Sequence, residues 1–136
     1  MTGPVRDRGA MIAAMDPQAD PVCYAFVGAD DRTTALDLMR SALATFREDE
    51  GLSLVVPYDV AVDAGIETPP YARITLQVHS ALDGVGLTAA VANALAEANI
   101  ACNVIAAMRH DHIFVPAADK EAALAILQQL QAEARP

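Results

Sequence analysis

The residues whose types and spacing could do chemistry are concentrated in one stretch of the second half, Asp83-Gly84-Val85-Gly86-Leu87. Two glycines let the backbone come close to a bound molecule, because no Cβ stands in the way. Leu87 opens an Ala-rich helical stretch, so the loop leads to a helix N-terminus. Unpaired N–H groups and the helix dipole favour an anion there, such as an α-carboxylate. Asp83 would take the ammonium end of the same molecule. The same residues also read as a glycine turn in which Asp83 caps the helix. The chain carries no nucleophile–base pairing, phosphate loop or dinucleotide motif, so no catalytic residue and no cofactor is assigned. Cys23 and Cys102 each lie in an apolar, strand-like run without CxxC spacing. They read as buried free thiols in a reducing compartment.

These residues must be positioned by a chain of 136 residues, which fits one domain. It is 54% hydrophobic and only 4% aromatic, without Trp, and its mean hydropathy is +0.26. Such a core is built from aliphatic helices and strands. The net charge of −9, with nine Lys and Arg scattered along the chain, excludes a phosphate-backbone binder, which needs clustered cations. No window approaches the ~18 apolar residues of a membrane span, and no secretory signal precedes the first strand. The expected setting is cytoplasmic, without nucleic acid or membrane as partner.

Residues 1–10 read as a loose tail. Met11 to Met15 is a short apolar run, a strand or a docking turn, stopped by Asp16-Pro17. Val22 to Val27 is a buried strand. A helical period follows, with Leu36, Met39, Leu43 and Phe46 as its stripe and Asp30 or Asp31 as its cap; Ala44 to Arg47 also reads as a strand. Glu48 to Gly51 is a turn, Leu52 to Val56 a strand, and Pro57 opens a short amphipathic segment through Ile66. Ala72 to His79 alternates Ile74, Leu76 and Val78 against polar neighbours, the pattern of a strand with one buried face. Leu87 to Asn99 is a helix with Leu87, Val91, Leu95 and Ala98 on one stripe. Ala101 to Met108 and His112 to Val115 are strands about a tight turn. Asp119 caps a last helix bearing Leu124, Leu127 and Leu130.

Strand, helix, strand, strand, helix is a ferredoxin-like βαββαβ domain short of one strand. The first half can donate that strand. The segment LDGVGLTAAVANALAEANIACNVIAA, Leu82 to Ala107, resembles the signature of ACT domains. Over residues 11–132 the chain is similar to small stand-alone bacterial ACT proteins related to ACT domains of the CASTOR type. The stretch from Asp31 to Ala42 departs from that group as an insertion. The resemblance implies an α+β, ferredoxin-like ACT fold. It would have a tail at 1–10, a degenerate ACT-like half at 11–70 packed with an ACT half at 71–134, and no enzymatic activity. It also implies a small-molecule effector, an amino acid, bound at the loop after the first strand of the ACT half and often across a subunit interface. Asn103, at the start of the second strand, matches a position that contacts effectors in some ACT interfaces.

Topology adds the histidines. With strand order 4-1-3-2, the ends of strands one and two and the start of strand three share one edge. His79, His110 and His112 therefore gather beside the glycine loop. Imidazoles so placed could bind zinc or copper, contact a polar ligand or sense pH, or simply be solvated in turns. The rival function is an oligomerising ferredoxin-like domain that binds a divalent metal through this cluster. Either reading expects a homodimer, since the strand Ala101 to Met108 would be an uncharged edge over its first seven residues. Within one chain, the strand from the N-terminal half is the competing shield.

Overall fold

The computed structural model describes residues 3–136. They form two compact units: 3–21 together with Ala72–Pro136, and Val22–Tyr71. One strand, β1 (Pro17–Ala29), runs through both.

In the first unit the elements are α1 (Arg8–Ala13), the opening residues of β1, β4 (Tyr71–Leu76), α4 (Leu87–Glu97), β5 (Asn103–Ala106), β6 (Asp111–Pro116) and, after a 3-10 turn, α5 (Lys120–Ala134). Its strand order is β1-β4-β6-β5. Counted from β4, that is the 4-1-3-2 order of a ferredoxin-like sheet with β1 as the fourth strand, so the N-terminal half does donate the missing strand. β5 lies at the end of that order. The donated strand is added on the β4 side and leaves β5 as an edge.

β4 alternates as its sequence predicts: Ala72, Ile74 and Leu76 are buried, with Arg73 and Thr75 half-exposed between them. The buried set joins Ile113 and Val115 of β6 and Leu87, Ala90, Val91 and Leu95 of α4 in one core, completed by Ala123 and Leu127 of α5. Ala98 falls outside the stripe and is exposed. Full burial of a Leu or Val is worth about 1.5–3 kcal/mol, so this aliphatic set can order the unit without aromatic help.

Where a loose tail was expected, the chain is structured from Val5 onward. Val5 makes a parallel bridge with Ser80, and Asp7 caps α1 by accepting from the Ala10 N–H at 2.9 Å. The run from Met11 to Met15 is the end of this helix and its exit rather than a strand. Met11, Ile12 and Met15 are almost fully buried. Gln131 of α5 fastens the exit: its Nε2 donates to the Ala13 carbonyl at 2.8 Å and its Oε1 accepts from the Asp16 N–H at 3.1 Å. An apolar pattern this short does not separate helix from strand. The two residues before Gly3 lie outside the described part of the tail.

The second unit contains the remainder of β1, α2 (Arg32–Met39), β2 (Ala44–Glu48), β3 (Gly51–Pro57) and α3 (Tyr58–Asp63), with strand order β2-β3-β1. Both pairings are antiparallel, and in register Ala29 faces Leu52, which in turn faces Arg47. The helix predicted from Thr33 is present, capped by Asp31, whose carboxylate accepts from the Thr34 N–H at 2.8 Å and its hydroxyl at 2.7 Å. Its buried residue is Leu38, however; Leu36, Met39, Leu43 and Phe46 are all exposed. The predicted stripe is therefore displaced, and Leu43 and Phe46 lie beyond the helix. Cys23 and Cys102 are free but only half-buried, not enclosed as expected. Burial still pushes the Cys102 thiol pKa up. No helix among the described residues is long and apolar enough to cross a membrane.

Candidate functional site

Past Leu76 the chain bends at Val78, and its hydrogen bonds go to the N-terminal segment. The Gln77 N–H donates to the Met15 carbonyl at 2.7 Å, the Val5 N–H to the His79 carbonyl at 2.8 Å, and the Ala81 N–H to the Val5 carbonyl at 2.7 Å. Ser80 Oγ donates to Asp111 at 3.1 Å, which ties the loop to the start of β6. The Gly84 N–H then closes a turn on the Ala81 carbonyl at 3.0 Å, and Gly86 swings to φ 111° to start α4. Glycine reaches that conformation at little cost and other residues do not.

Among the described residues no side chain caps α4. Asp83, a cap or a free carboxylate by sequence, is neither: its Oδ1 accepts from Arg6 Nε at 2.9 Å in an exposed ion pair. An exposed pair of this kind contributes about 0–1 kcal/mol and exchanges readily. The space that a Cβ would need at the two glycines is occupied mainly by the chain's own N-terminal segment. A Cβ on Gly84 would lie 3.0 Å from Met11 Sδ and 3.1 Å from the Ala81 carbonyl; one on Gly86 would lie 2.6 Å from Arg8 Cδ. Val85 between them is 81% exposed, while Leu87 is buried in the core. Arg6 and Arg8 are therefore part of this loop's surroundings. Sequence reasoning missed them because cations in a polar segment carry no periodicity. The available signal was that two of only nine cations fall within the first ten residues.

The histidines lie along β6 and its approach. His112 Nδ1 and Thr75 Oγ1 are 3.0 Å apart, the donor depending on the imidazole tautomer. Partial burial lowers the His112 pKa, Arg73 and His110 add to that, and Asp111 opposes it. Arg73 is itself paired through Nη2 with Asp20 at 2.6 Å. His110 has a buried Nδ1 with no hydrogen-bond partner among the described residues. His79 is half-buried, and Asn103 is exposed opposite Phe114 on the β5–β6 ladder. Among the described residues no group of three or more His, Cys, Asp or Glu could hold a metal ion.

Two family models described as ACT domain match the sequence, one over residues 5–73 and one over residues 70–129. Among solved structures, a Vibrio cholerae protein of unknown function, described as a possible transport protein, is 40% identical. The match covers 90% of this chain and 94% of that one, with a TM-score of 0.79. An Agrobacterium tumefaciens protein is 22% identical over 81% of this chain and 84% of its own, with a TM-score of 0.64. The ligand-free regulatory subunit of aspartate kinase from Thermus thermophilus shares 15% identity but the same fold, with a TM-score of 0.64 over 86% of this chain and 97% of its own. A search of the curated proteins finds no match.

Proposed function

The chain belongs to the ACT-domain family, and on that premise we propose that it is a regulatory module that binds a small molecule, an amino acid, and performs no chemistry itself. The observation that carries this reading is the uncapped N-terminus of α4, reached through Gly86 at φ 111° and flanked by Arg6 and Arg8. A ligand carboxylate is served there by the first-turn N–H groups, by the dipole and by Arg8. The ligand's ammonium competes with Arg6 for Asp83, an exchange that the weakness of an exposed ion pair permits.

In this reading Asp83, Gly84, Val85, Gly86 and Leu87 form the floor of the site. His79, His110 and His112 border it from the neighbouring strand ends, whereas Asn103, opposite Phe114, stands at the other end of the β5–β6 ladder from Asp111 and the loop tied to it. The chain works as two ACT-like halves, 11–70 and 71–134, in the cytoplasm and as a homodimer. The β5 edge, Asn103–Ala106, is the surface that a second copy would pair with. The likeness to CASTOR-type domains belongs to this same reading. The aspartate kinase neighbour is a regulatory subunit, which supports a regulatory role by analogy of fold.

The test is thermal melting of the protein against each amino acid. At a hundredfold excess over its Kd, a true ligand stabilises by about 2.7 kcal/mol. Asp83→Asn should abolish that gain without lowering the melting temperature of the free protein. If no amino acid raises it, or if Asp83→Asn leaves the gain intact, the reading fails. Light scattering on the eluting protein checks the assembly, and a mass of one 14.3 kDa chain would remove the dimer from it.

A further inference from the structure

The second unit holds an open recess of about 600 Å3 between α2 and the β2–β3 hairpin, lined by Arg32, Ala35, Met39, Thr45, Arg47, Glu48 and Leu52. We infer that this recess is a second binding site, formed by one unit alone, for an organic monocarboxylate with an apolar tail.

The register explains the juxtaposition. Ala29, Leu52 and Arg47 stand in line across β1, β3 and β2. The chain leaves Ala29 and enters α2 at Arg32, with only Asp30 and Asp31 between. Both guanidinium-bearing residues thus belong to the same end of the recess. Neither makes an ion pair or a side-chain hydrogen bond among the described residues. Two of the nearby acids are hydrogen-bonded within the chain. Both Asp31 oxygens accept from Thr34, and the Glu48 carboxylate accepts from the Ser53 hydroxyl. Glu48, at the end of β2, lines the recess beside Arg47.

From Arg32 the helix runs back over the recess. Ala35 and Met39 follow at helical spacing, and seven residues at a rise of ~1.5 Å each carry Met39 about 10 Å from the cationic end. Met39 is 47% exposed, an apolar surface that an aliphatic tail would cover. A chain with 18 acidic and nine basic residues repels anions on average. The recess lining, with two arginines to one carboxylate, departs locally from that balance. Arginine pairs readily with carboxylates in a forked geometry. Cationic end, apolar floor and a ~10 Å span together fit a carboxylate head on a hydrocarbon tail.

The inference is independent of the glycine-loop site, and the experiment separates the two. Amide resonances of the full chain are followed during titration with octanoate, octanamide, acetate and inorganic phosphate. Octanoate should shift Ala35, Met39, Thr45, Arg47 and Leu52 saturably. Octanamide, which lacks the charge, and acetate, which lacks the tail, should each bind about tenfold or more weakly, the loss of roughly one charge-assisted contact. Arg32→Gln with Arg47→Gln should weaken octanoate by at least as much, while Asp83→Asn leaves it unchanged. Both arginines are exposed, so the double variant should melt as the parent does. Equal binding of acetate or phosphate, shifts confined to other residues, or full octanoate affinity in the double variant would each overturn the inference.

Discussion

Replacing Gly86 by alanine tests the loop geometry most directly, because two costs of different origin meet at one atom. The first is conformational: φ is 111°, a region L-residues rarely occupy, and holding one there costs about 1–3 kcal/mol. Loss of glycine's freedom in the unfolded chain returns about 0.4–1 kcal/mol. The second is contact: the new Cβ would lie 2.6 Å from Arg8 Cδ and 2.9 Å from its Cγ. Arg8 is an exposed side chain that can swing away, so the contact is the smaller cost. A net loss of about 1–2 kcal/mol follows, which for a chain of this size lowers Tm by roughly 3–8 °C. Urea unfolding of Gly86→Ala, Arg8→Ala and the double variant separates the terms. If the backbone dominates, the coupling energy stays below about 0.5 kcal/mol. A Gly86→Ala protein within about 0.5 kcal/mol of the parent would refute the backbone argument. Full rescue by Arg8→Ala would show that the contact had been underestimated.

Three further outcomes follow. The His112 pKa lies below its ordinary value, so the unfolded chain takes up its proton first and stability falls as pH drops through the ordinary histidine range; His112→Gln should flatten the pH dependence of unfolding there, and an unchanged slope contradicts the burial argument. The Asp31 carboxyl is held below its ordinary value by the Thr34 N–H and hydroxyl, so its contribution is present above the carboxylate range and is lost as acid protonates it; amide exchange in α2 should quicken in acid for the parent, and Asp31→Ala should show fast exchange already at neutral pH. With its thiol pKa raised by burial, Cys102 should react with a disulfide reagent at pH 8 more slowly than free cysteine, and an equal or faster rate would show that the thiolate is accessible.

How much of this was legible depended on whether a pattern was local. β4 could be read because one face meets a helical layer and the other does not, so Ala72, Ile74 and Leu76 alternate with Arg73 and Thr75. The α4 stripe was readable for the same reason. α2 misled because Ala35 and Leu38 satisfy helical spacing as well as Leu36 and Met39 do; a helix of eight residues offers too few turns to choose between them. Gly84 and Gly86 announced a close approach, but the approaching groups, Arg8 and Met11, come from more than seventy positions earlier, which no periodicity reports. The pairing of β1 and the recess between Arg32 and Arg47 likewise arise from register between separate strands.

The first unit is discontinuous in the chain: the whole of Val22–Tyr71 intervenes between its two pieces. During synthesis the second unit has all its strands available early, whereas the first must wait for α4, β5, β6 and α5 to emerge. Its opening residues, Met11 and Met15 among them, are apolar and lack their core until then. Closing so long an interval costs entropy that grows only slowly with its length, so the delay is a matter of timing more than of stability. A nascent chain paused just after β4 would therefore hold Met11, Ile12 and Met15 without the α4 and α5 side chains that later bury them.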